Sequence, residues 1–295
     1  MRKPVHRLSE EAFRGCCLDC EKSLEIVRPY IIGFYERIRE IPIEGLRKLS
    51  LEELFEYYRL LDDIAHLPIG ERLAGMILQD GEISGHLPTI RAYYKAFLIT
   101  AEKKLAEGIL RAEDPWGELE AFRLLPRYEA LVKAYLREVR LRKDETLAFL
   151  GSGPVPFTLL LGARYGVKGI GVDVDPEAVR TSRAVVAKLG LQQMVRIVEG
   201  DEGALEDLPW DALLVAALAE PKERIFRKLR EIWASKRPPH PLCYRTYTGM
   251  RAILYEPVRE EEQVKGFRKL KELRPPGRVN NTLVFVVAED GPQGG

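Results

Sequence analysis

The turn between residues 151 and 153 constrains the fold of this chain more than any other segment. An apolar run over 147–150 ends in Gly151-Ser-Gly-Pro-Val-Pro156, and a helical pattern follows over 158–165. A second apolar run ends at Asp173, about 20 residues after Gly153. Glycines let a ligand approach the backbone, and an acid at this spacing can accept both hydroxyls of a ribose. The pattern therefore predicts a nucleoside site on a doubly wound sheet.

The residues of the turn indicate which nucleoside. A pyrophosphate site favours a third glycine, so that a helix N-terminus can meet the diphosphate. Here Pro156 holds that position, and prolines lack the amide donors that a phosphate needs. We therefore predict S-adenosylmethionine as the cofactor rather than NAD, although a glycine-rich turn without a ligand remains an alternative. The expected cofactor-binding residues are Gly151, Ser152, Gly153, Pro154, Asp173 at the ribose, Asp201 at the adenine, and Ala217 after the fourth strand. The alternative for Asp201 is a simple turn.

The hydrophobic pattern changes its period near residue 146. Residues 9 to about 142 show helical spacing, whereas apolar runs at 146–150, 169–173, 195–199, 211–216 and 242–247 alternate with helical stretches. The end, 266–273 and 282–287, has the pattern of an antiparallel hairpin. The expected fold class is α/β: a Rossmann-like class I S-adenosylmethionine-dependent transferase fold plus an all-helical N-terminal domain. We expect a helical domain over 1–142 that covers the active site and a cofactor-binding domain over 143–295.

Composition excludes several function classes. A net charge of +1 gives no electrostatic reason to expect nucleic acid or a membrane surface as a partner. No apolar run reaches the length of a membrane span and the first residues form no signal peptide, so we expect a cytoplasmic protein. Cys16, Cys17 and Cys20 have no second ligand pair at zinc spacing, and no metal site is predicted. Two asparagines among many charges resemble the composition of a thermophile's protein.

Several separate motifs, in one order, resemble the nicotianamine synthase family. They are Gly151-Ser-Gly-Pro-Val-Pro-Phe-Thr158, Val215-Ala-Ala-Leu218, the segment from Tyr244 to Val258, and Val279-Asn-Asn-Thr282. The match is to the archaeal branch, which makes thermonicotianamine, and it extends into the helical half from about residue 90. The resemblance implies repeated transfer of a 3-amino-3-carboxypropyl group from S-adenosylmethionine to an amine, starting from glutamate. Methylthioadenosine is the implied by-product, and a linear metal chelator is the implied product.

The resemblance also implies two catalytic residues. Glu102 matches the catalytic glutamate of the family and Tyr128 its active-site tyrosine. The nucleophile must be a neutral amine, whereas a free amino acid is protonated near neutral pH, so a base is required. Partial burial would raise the pKa of Glu102 toward that of a useful base. From helical spacing alone, Glu102 reads as the solvated flank of an apolar stripe and Tyr128 as a core tyrosine.

Substrates with several carboxylates should be bound by cationic and polar side chains. The expected substrate-binding residues are Arg127, Arg245, Thr248, Arg251 and Asn280. The alternative for each arginine is a structural ion pair, and an asparagine at a hairpin turn needs no ligand to explain it.

Two other functions are alternatives at this point. One is an S-adenosylmethionine-dependent methyltransferase for a small amine or an RNA, although the Asn/Asp-Pro-Pro-aromatic cluster typical of amine methylation is absent after Val215. The other is a nucleoside-binding regulator without turnover. A small-molecule acceptor is the expected partner, without nucleic acid or membrane, and the sequence leaves open whether the protein forms a homodimer.

Overall fold

The computed structural model describes residues 22–289, so the cysteine cluster at 16–20 lies outside the described part. The longer helices are α1 (Lys22–Ile38), α3 (Leu51–Ala65), α4 (Glu71–Gln79), α6 (Leu87–Arg111), α8 (Leu125–Val139), α9 (Phe157–Arg164), α10 (Pro176–Lys188) and α11 (Lys222–Lys236). The short helices are α2 (Ile43–Leu46), α5 (Gly81–Ser84), α7 (Pro115–Glu120) and α12 (Glu260–Gln263). Within the described residues, no helix is both long and apolar enough to cross a bilayer.

Among residues 22–289, seven strands form one sheet in the order β3-β2-β1-β4-β5-β7-β6. The strands are β1 (Thr146–Leu150), β2 (Lys168–Asp173), β3 (Val195–Glu199), β4 (Ala212–Val215), β5 (Leu242–Thr246), β6 (Phe267–Leu273) and β7 (Thr282–Ala288). The first five are parallel, whereas β7 pairs antiparallel with both β5 and β6. The predicted parallel sheet with a C-terminal antiparallel hairpin at its edge is confirmed.

Both faces of the sheet are apolar, as expected for parallel strands covered by crossover helices. On one face, Leu150 and Val215 join a core with Phe226, Leu229 and other residues of α11. The opposite face carries alternate residues such as Leu147 and Phe149, which are also buried. Double burial explains why these strands appear in the sequence as continuous apolar runs.

The chain divides into two compact units, but the boundary is not at residue 142. One unit contains the described residues up to Ala101 together with Tyr247–Pro257, and the other contains Glu102–Thr246 and the chain from Val258 onward. The expected division followed the change from helices to strands. It missed that α7 and α8 belong to the unit that contains the sheet. The ring of Tyr135 in α8, for example, stacks on the ring of Phe285 in β7 with centroids 6.2 Å apart.

The first unit is a helical body with an aromatic core. Ser50 begins α3 with a capping box, in which Glu53 N–H donates to Ser50 Oγ and Ser50 N–H donates to Glu53 Oε2. The rings of Tyr58 and Phe97 stack with centroids 4.3 Å apart. The segment 247–257 joins this unit because Arg91 of α6 donates two hydrogen bonds, of 2.9 and 3.1 Å, to the carbonyl oxygen of Ala252.

Candidate active site

The glycine turn after β1 requires the conformational freedom of glycine. Gly151 and Gly153 have φ of 78° and 68°, in the left-handed region that other residues rarely adopt. Both Gly151 N–H and Ser152 N–H donate to the carbonyl oxygen of Val172, which ties the turn to β2. The turn is therefore held beside the carboxyl ends of β1 and β2, where ligands bind in sheets of this type.

Asp173 ends β2 and connects directly to this turn. Gly153 N–H donates to Asp173 Oδ2 at 2.8 Å, and Asp175 N–H donates to Asp173 Oδ1 at 3.0 Å. These bonds fix the orientation of the carboxylate. Each carboxylate oxygen can accept more than one hydrogen bond, so both retain capacity for ligand hydroxyls.

Glu102, in α6, lies against the same turn. A methyl group built on Gly153 would lie 3.1 Å from Glu102 Oε2, so glycine at this position gives the carboxylate its close approach. Tyr128 of α8 donates its hydroxyl hydrogen to Glu102 Oε1 at 3.3 Å. The structure thus brings together four of the predicted site residues, namely Glu102, Tyr128, Gly153 and Asp173.

The ring of Tyr128 is positioned by an aromatic stack. It lies parallel to the ring of Phe157, with centroids 4.1 Å apart and an interplanar angle of 6°, and Phe157 in turn stacks on Phe122. Phe157 is the first residue of α9 and follows the prolines of the turn. The sequence gives no sign of this role for Phe157, because stacking between residues far apart in the chain leaves no periodic signal.

The protonation of Glu102 is set by opposing effects. Burial raises the pKa of this carboxyl to about 7, while the hydrogen bond from Tyr128 and the positive charge of Arg245 act to lower it. The negative charge of Asp173 adds a smaller upward effect. A carboxylate with a pKa near neutrality can accept a proton and release it again under ordinary conditions, which suits a general base.

Comparison with known proteins identifies the family. The family model described as nicotianamine synthase protein matches residues 26–291. The chain belongs to the nicotianamine synthase family. It is 27% identical to nicotianamine synthase of Solanum lycopersicum over 208 residues, 61% of this chain and 62% of the relative. It is 33% identical to nicotianamine synthase 3 of Oryza sativa subsp. japonica over 151 residues, 47% of this chain and 43% of the relative. The matched region thus spans less than two thirds of these plant proteins.

Solved structures of the family match almost the whole chain. A crystal structure of a glutamate-to-glutamine mutant of MtNAS in complex with S-adenosylmethionine shares 33% identity with a TM-score of 0.81, and the match covers 92% of this chain and all of that one. A structure of MtNAS in complex with MTA and tNA shares 32% identity at the same TM-score, and covers 92% of this chain and 99% of that one. The transferase fold expected from the sequence is confirmed.

In this member of the nicotianamine synthase family, the side chains of Arg127 and Asn280 are hydrogen-bonded. Arg127 of α8 donates from Nη1 to Asn280 Oδ1 at 3.1 Å, and both side chains are at least partly buried. Arg245 is more deeply buried, at 6% exposure. Its guanidinium lies 4.9 Å from the centre of the Phe149 ring and contacts the hydroxyl of Thr158. The positive charge of Arg245 acts to lower the pKa of Glu102.

Two predicted substrate-binding residues lie in the other unit. Arg251 belongs to the short 3₁₀ helix Gly249–Ile253, and it donates from Nη2 to Thr248 Oγ1 at 3.1 Å and from Nε to the Thr248 carbonyl oxygen at 3.3 Å. The structure therefore pairs Thr248 with Arg251.

The remaining cofactor candidates have diverse surroundings. Asp201 is exposed and caps the 3₁₀ turn Glu202–Glu206, accepting a hydrogen bond from Gly203 N–H at 2.9 Å. The hydroxyl of Ser152 is buried without a hydrogen-bond partner among the described residues, and it faces Gly171 of β2. Pro154 is buried within the turn, and Ala217 is partly buried in the loop after β4. For Ser152, hydrogen bonds of the described residues therefore orient the backbone but not the hydroxyl.

Proposed function

We propose that this protein transfers 3-amino-3-carboxypropyl groups from S-adenosylmethionine to an amino acid and releases methylthioadenosine. The observation that carries the proposal is the contact between Glu102, with its pKa near 7, and the glycine turn that is hydrogen-bonded to Asp173. A proton acceptor beside a predicted cofactor turn fits a reaction in which an amine attacks the cofactor. Structures of MtNAS with S-adenosylmethionine, and with MTA and tNA, support the same donor.

In the proposed assignment, the turn and Asp173 bind the donor. Gly151 and Gly153 let it approach the backbone, and the fixed carboxylate of Asp173 accepts the ribose hydroxyls. The absence of a phosphate-binding third glycine agrees with a donor that has no phosphate. We assign Ser152, Pro154 and Ala217 to the same donor site through their neighbourhood, and Asp201 to the adenine end.

Glu102 prepares the acceptor. Its carboxylate takes one proton from the ammonium group of the amino acid, which leaves a neutral amine. The nitrogen lone pair attacks the carbon of the aminocarboxypropyl arm that is bonded to sulfur. The carbon–sulfur bond breaks, its electron pair stays on sulfur, and the product is a secondary ammonium with neutral methylthioadenosine. Tyr128 holds Glu102 in position through its hydroxyl.

The acceptor that we propose is glutamate, followed by the product of each earlier transfer, as in the archaeal thermonicotianamine branch. Arg127, the residue before Tyr128, pairs with Asn280, and these two side chains are our candidates for binding a substrate carboxylate. Arg245, Thr248 and Arg251 stay as further candidates. A linear product with several amines and carboxylates would chelate a metal ion after release.

The experiment is mass spectrometry of products made from S-adenosylmethionine and a panel of amino acids by the purified protein. We expect glutamate to gain one or more aminocarboxypropyl units, with methylthioadenosine in equal amount to the units added. The Asp173→Ala variant should bind the donor more weakly and yield less of the extended acceptor and less methylthioadenosine. A methylated acceptor with S-adenosylhomocysteine would assign the protein to the methyltransferases instead, and donor binding without any product would assign it to the regulators.

A further inference from the structure

A buried lysine lies beside the loop that follows β4, outside the residues assigned to the reaction so far. Lys222 is the first residue of α11 and only 4% exposed. The N-terminus of a helix carries a partial positive charge, so a lysine in this position is unfavourable, and burial of its ammonium adds a further cost. The residue must therefore have local partners that offset both effects.

Those partners are carbonyl oxygens of a single loop. Lys222 Nζ donates to the Ala216 oxygen at 3.1 Å and to the Ala217 oxygen at 2.8 Å, and it also contacts the Ala219 oxygen. An ammonium has three hydrogens to donate, and the three carbonyls match that number. The lysine thus fixes the direction of three peptide groups within four residues.

The same loop packs on the glycine turn. A methyl group built on Gly151 would lie 2.9 Å from Ala219 Cβ and 3.1 Å from Ala216 Cβ, so the two alanines press against the Gly151 backbone. Ala216 N–H also donates to the Leu150 carbonyl oxygen at 2.9 Å, one residue before the turn. Any shift of this loop changes the space that the turn can occupy.

We propose that Lys222 is a positioning residue for the donor site. Its ammonium holds the 216–219 loop against Gly151 and so keeps the turn in the shape that accepts the donor. The carbonyl oxygens of Ala216 and Ala217 point toward the ammonium. In a trans peptide the C=O and N–H point in opposite directions, so the N–H groups of Ala217 and Leu218 point away from it. This inference rests on the proposed function, since it assumes that the turn binds S-adenosylmethionine.

The test compares Lys222→Met with Lys222→Arg and with a control on the same helix. The control is Lys228→Met, which removes an ammonium that pairs at the surface with Glu206 and Glu231. The measurements are the dissociation constant for S-adenosylmethionine by calorimetry, well below the melting temperature, and the KM for glutamate. We expect Lys222→Met to weaken donor binding about tenfold or more, with the KM for glutamate nearly unchanged. Lys222→Arg should recover part of the affinity, and Lys228→Met should match the wild type.

Failure of the wild type to bind S-adenosylmethionine would count against the proposed function, whereas a folded Lys222→Met variant with wild-type affinity would overturn only the role of Lys222. If Lys222→Met does not fold, hydrogen exchange in the wild-type protein tests whether the loop and the turn respond together to the donor. Addition of S-adenosylmethionine should protect peptides that cover the turn and also those that cover 216–221. Protection of the turn without protection of the loop would overturn the inference.

Discussion

At the scale of single residues, the site contains two carboxyl groups, Asp173 and Glu102, with different hydrogen bonds and burial. Asp173 accepts two backbone N–H bonds at the end of a strand, and these bonds fix its orientation, which suits a role in binding a ligand. Glu102 is partly buried and receives a hydroxyl hydrogen bond, and its pKa lies near 7. The difference supports the proposed roles, in which Asp173 binds the donor and Glu102 transfers the proton.

The substitution Glu102→Gln tests this assignment. Glutamine keeps the size and hydrogen-bonding reach of glutamate but accepts no proton near neutral pH, so turnover should fall by about 10²–10⁴ at pH 7. The deficit should shrink as pH rises toward the pKa of the acceptor amine, because solvent then supplies more neutral amine. Methylthioadenosine release across a pH series gives the measurement.

The control for this variant is Glu107→Gln on the same helix, where the glutamate is exposed and pairs with Arg111. It should have the wild-type rate at every pH. Wild-type release by the Glu102→Gln protein at pH 7 would remove Glu102 from the mechanism and leave Tyr128 or a water molecule as the base.

A second residue-scale prediction concerns Tyr128→Phe. The hydrogen bond from Tyr128 lowers the pKa of Glu102, so its removal should raise that pKa above about 7. Because the ionised form of Glu102 is the active base, the wild-type rate should increase as pH rises through about 7, and the variant should need a higher pH to reach half its maximum. The ring stack on Phe157 is retained, so stability should change little. A midpoint that is unchanged or lower would contradict this account.

The sequence could predict which residue types the site needs, but it could not predict the contacts among them. Glu102 lies on the border of an apolar stripe, where helical spacing alone indicates a solvated flank. Its burial depends on packing against a turn 51 residues later in the chain, and its hydroxyl partner is Tyr128 in another helix. Such relations are tertiary and leave no local pattern. The resemblance to the family was needed to select both residues.

At the scale of elements, the sequence predicted much more. Strands β1, β3 and β5 begin at the expected residues, and β1 and β3 also end there, because apolar runs bounded by glycine and acids coincide with buried parallel strands. Lys222 is an exception. Helical spacing after β4 predicts a helix there but does not show that Lys222, its first residue, is buried. A cation in the first turn of a helix is unfavourable, and the lysine at this position was the one feature of the sequence that could have indicated a special role.

The element-scale prediction compares two glycines with the same backbone strain. Gly153 and Gly190 both have positive φ, 68° and 72°, but only Gly153 has a side chain within contact distance of the position of an added methyl group. Alanine should cost each protein about 1–2 kcal/mol of folding stability through the left-handed backbone. Only Gly153→Ala should also reduce donor affinity and turnover, since its methyl group would press on Glu102 Oε2.

Thermal unfolding and calorimetry of the two variants separate these effects. Equal loss of activity in both proteins would indicate that strain alone explains the result and that the approach of Glu102 to the turn is unimportant.

At the scale of the whole molecule, the sequence predicted a helical part and a sheet part but placed their division incorrectly. Periodicity reports the type of each element and not the unit with which it packs. For that reason α8, which supplies Tyr128, was grouped with the other helices, and the segment 247–257 was grouped with the sheet. The first correction matters for function, because Glu102, Tyr128 and the glycine turn then lie in one compact unit.

The proposed function requires this molecule to break the bond between sulfur and the aminocarboxypropyl arm. Chromatography of the nucleoside formed from S-adenosylmethionine and glutamate tests this claim most directly. We expect methylthioadenosine, formed by the wild-type protein only when an acceptor is present and strongly reduced in Glu102→Gln at pH 7. S-adenosylhomocysteine as the nucleoside product would contradict it, because that product requires transfer of the methyl group.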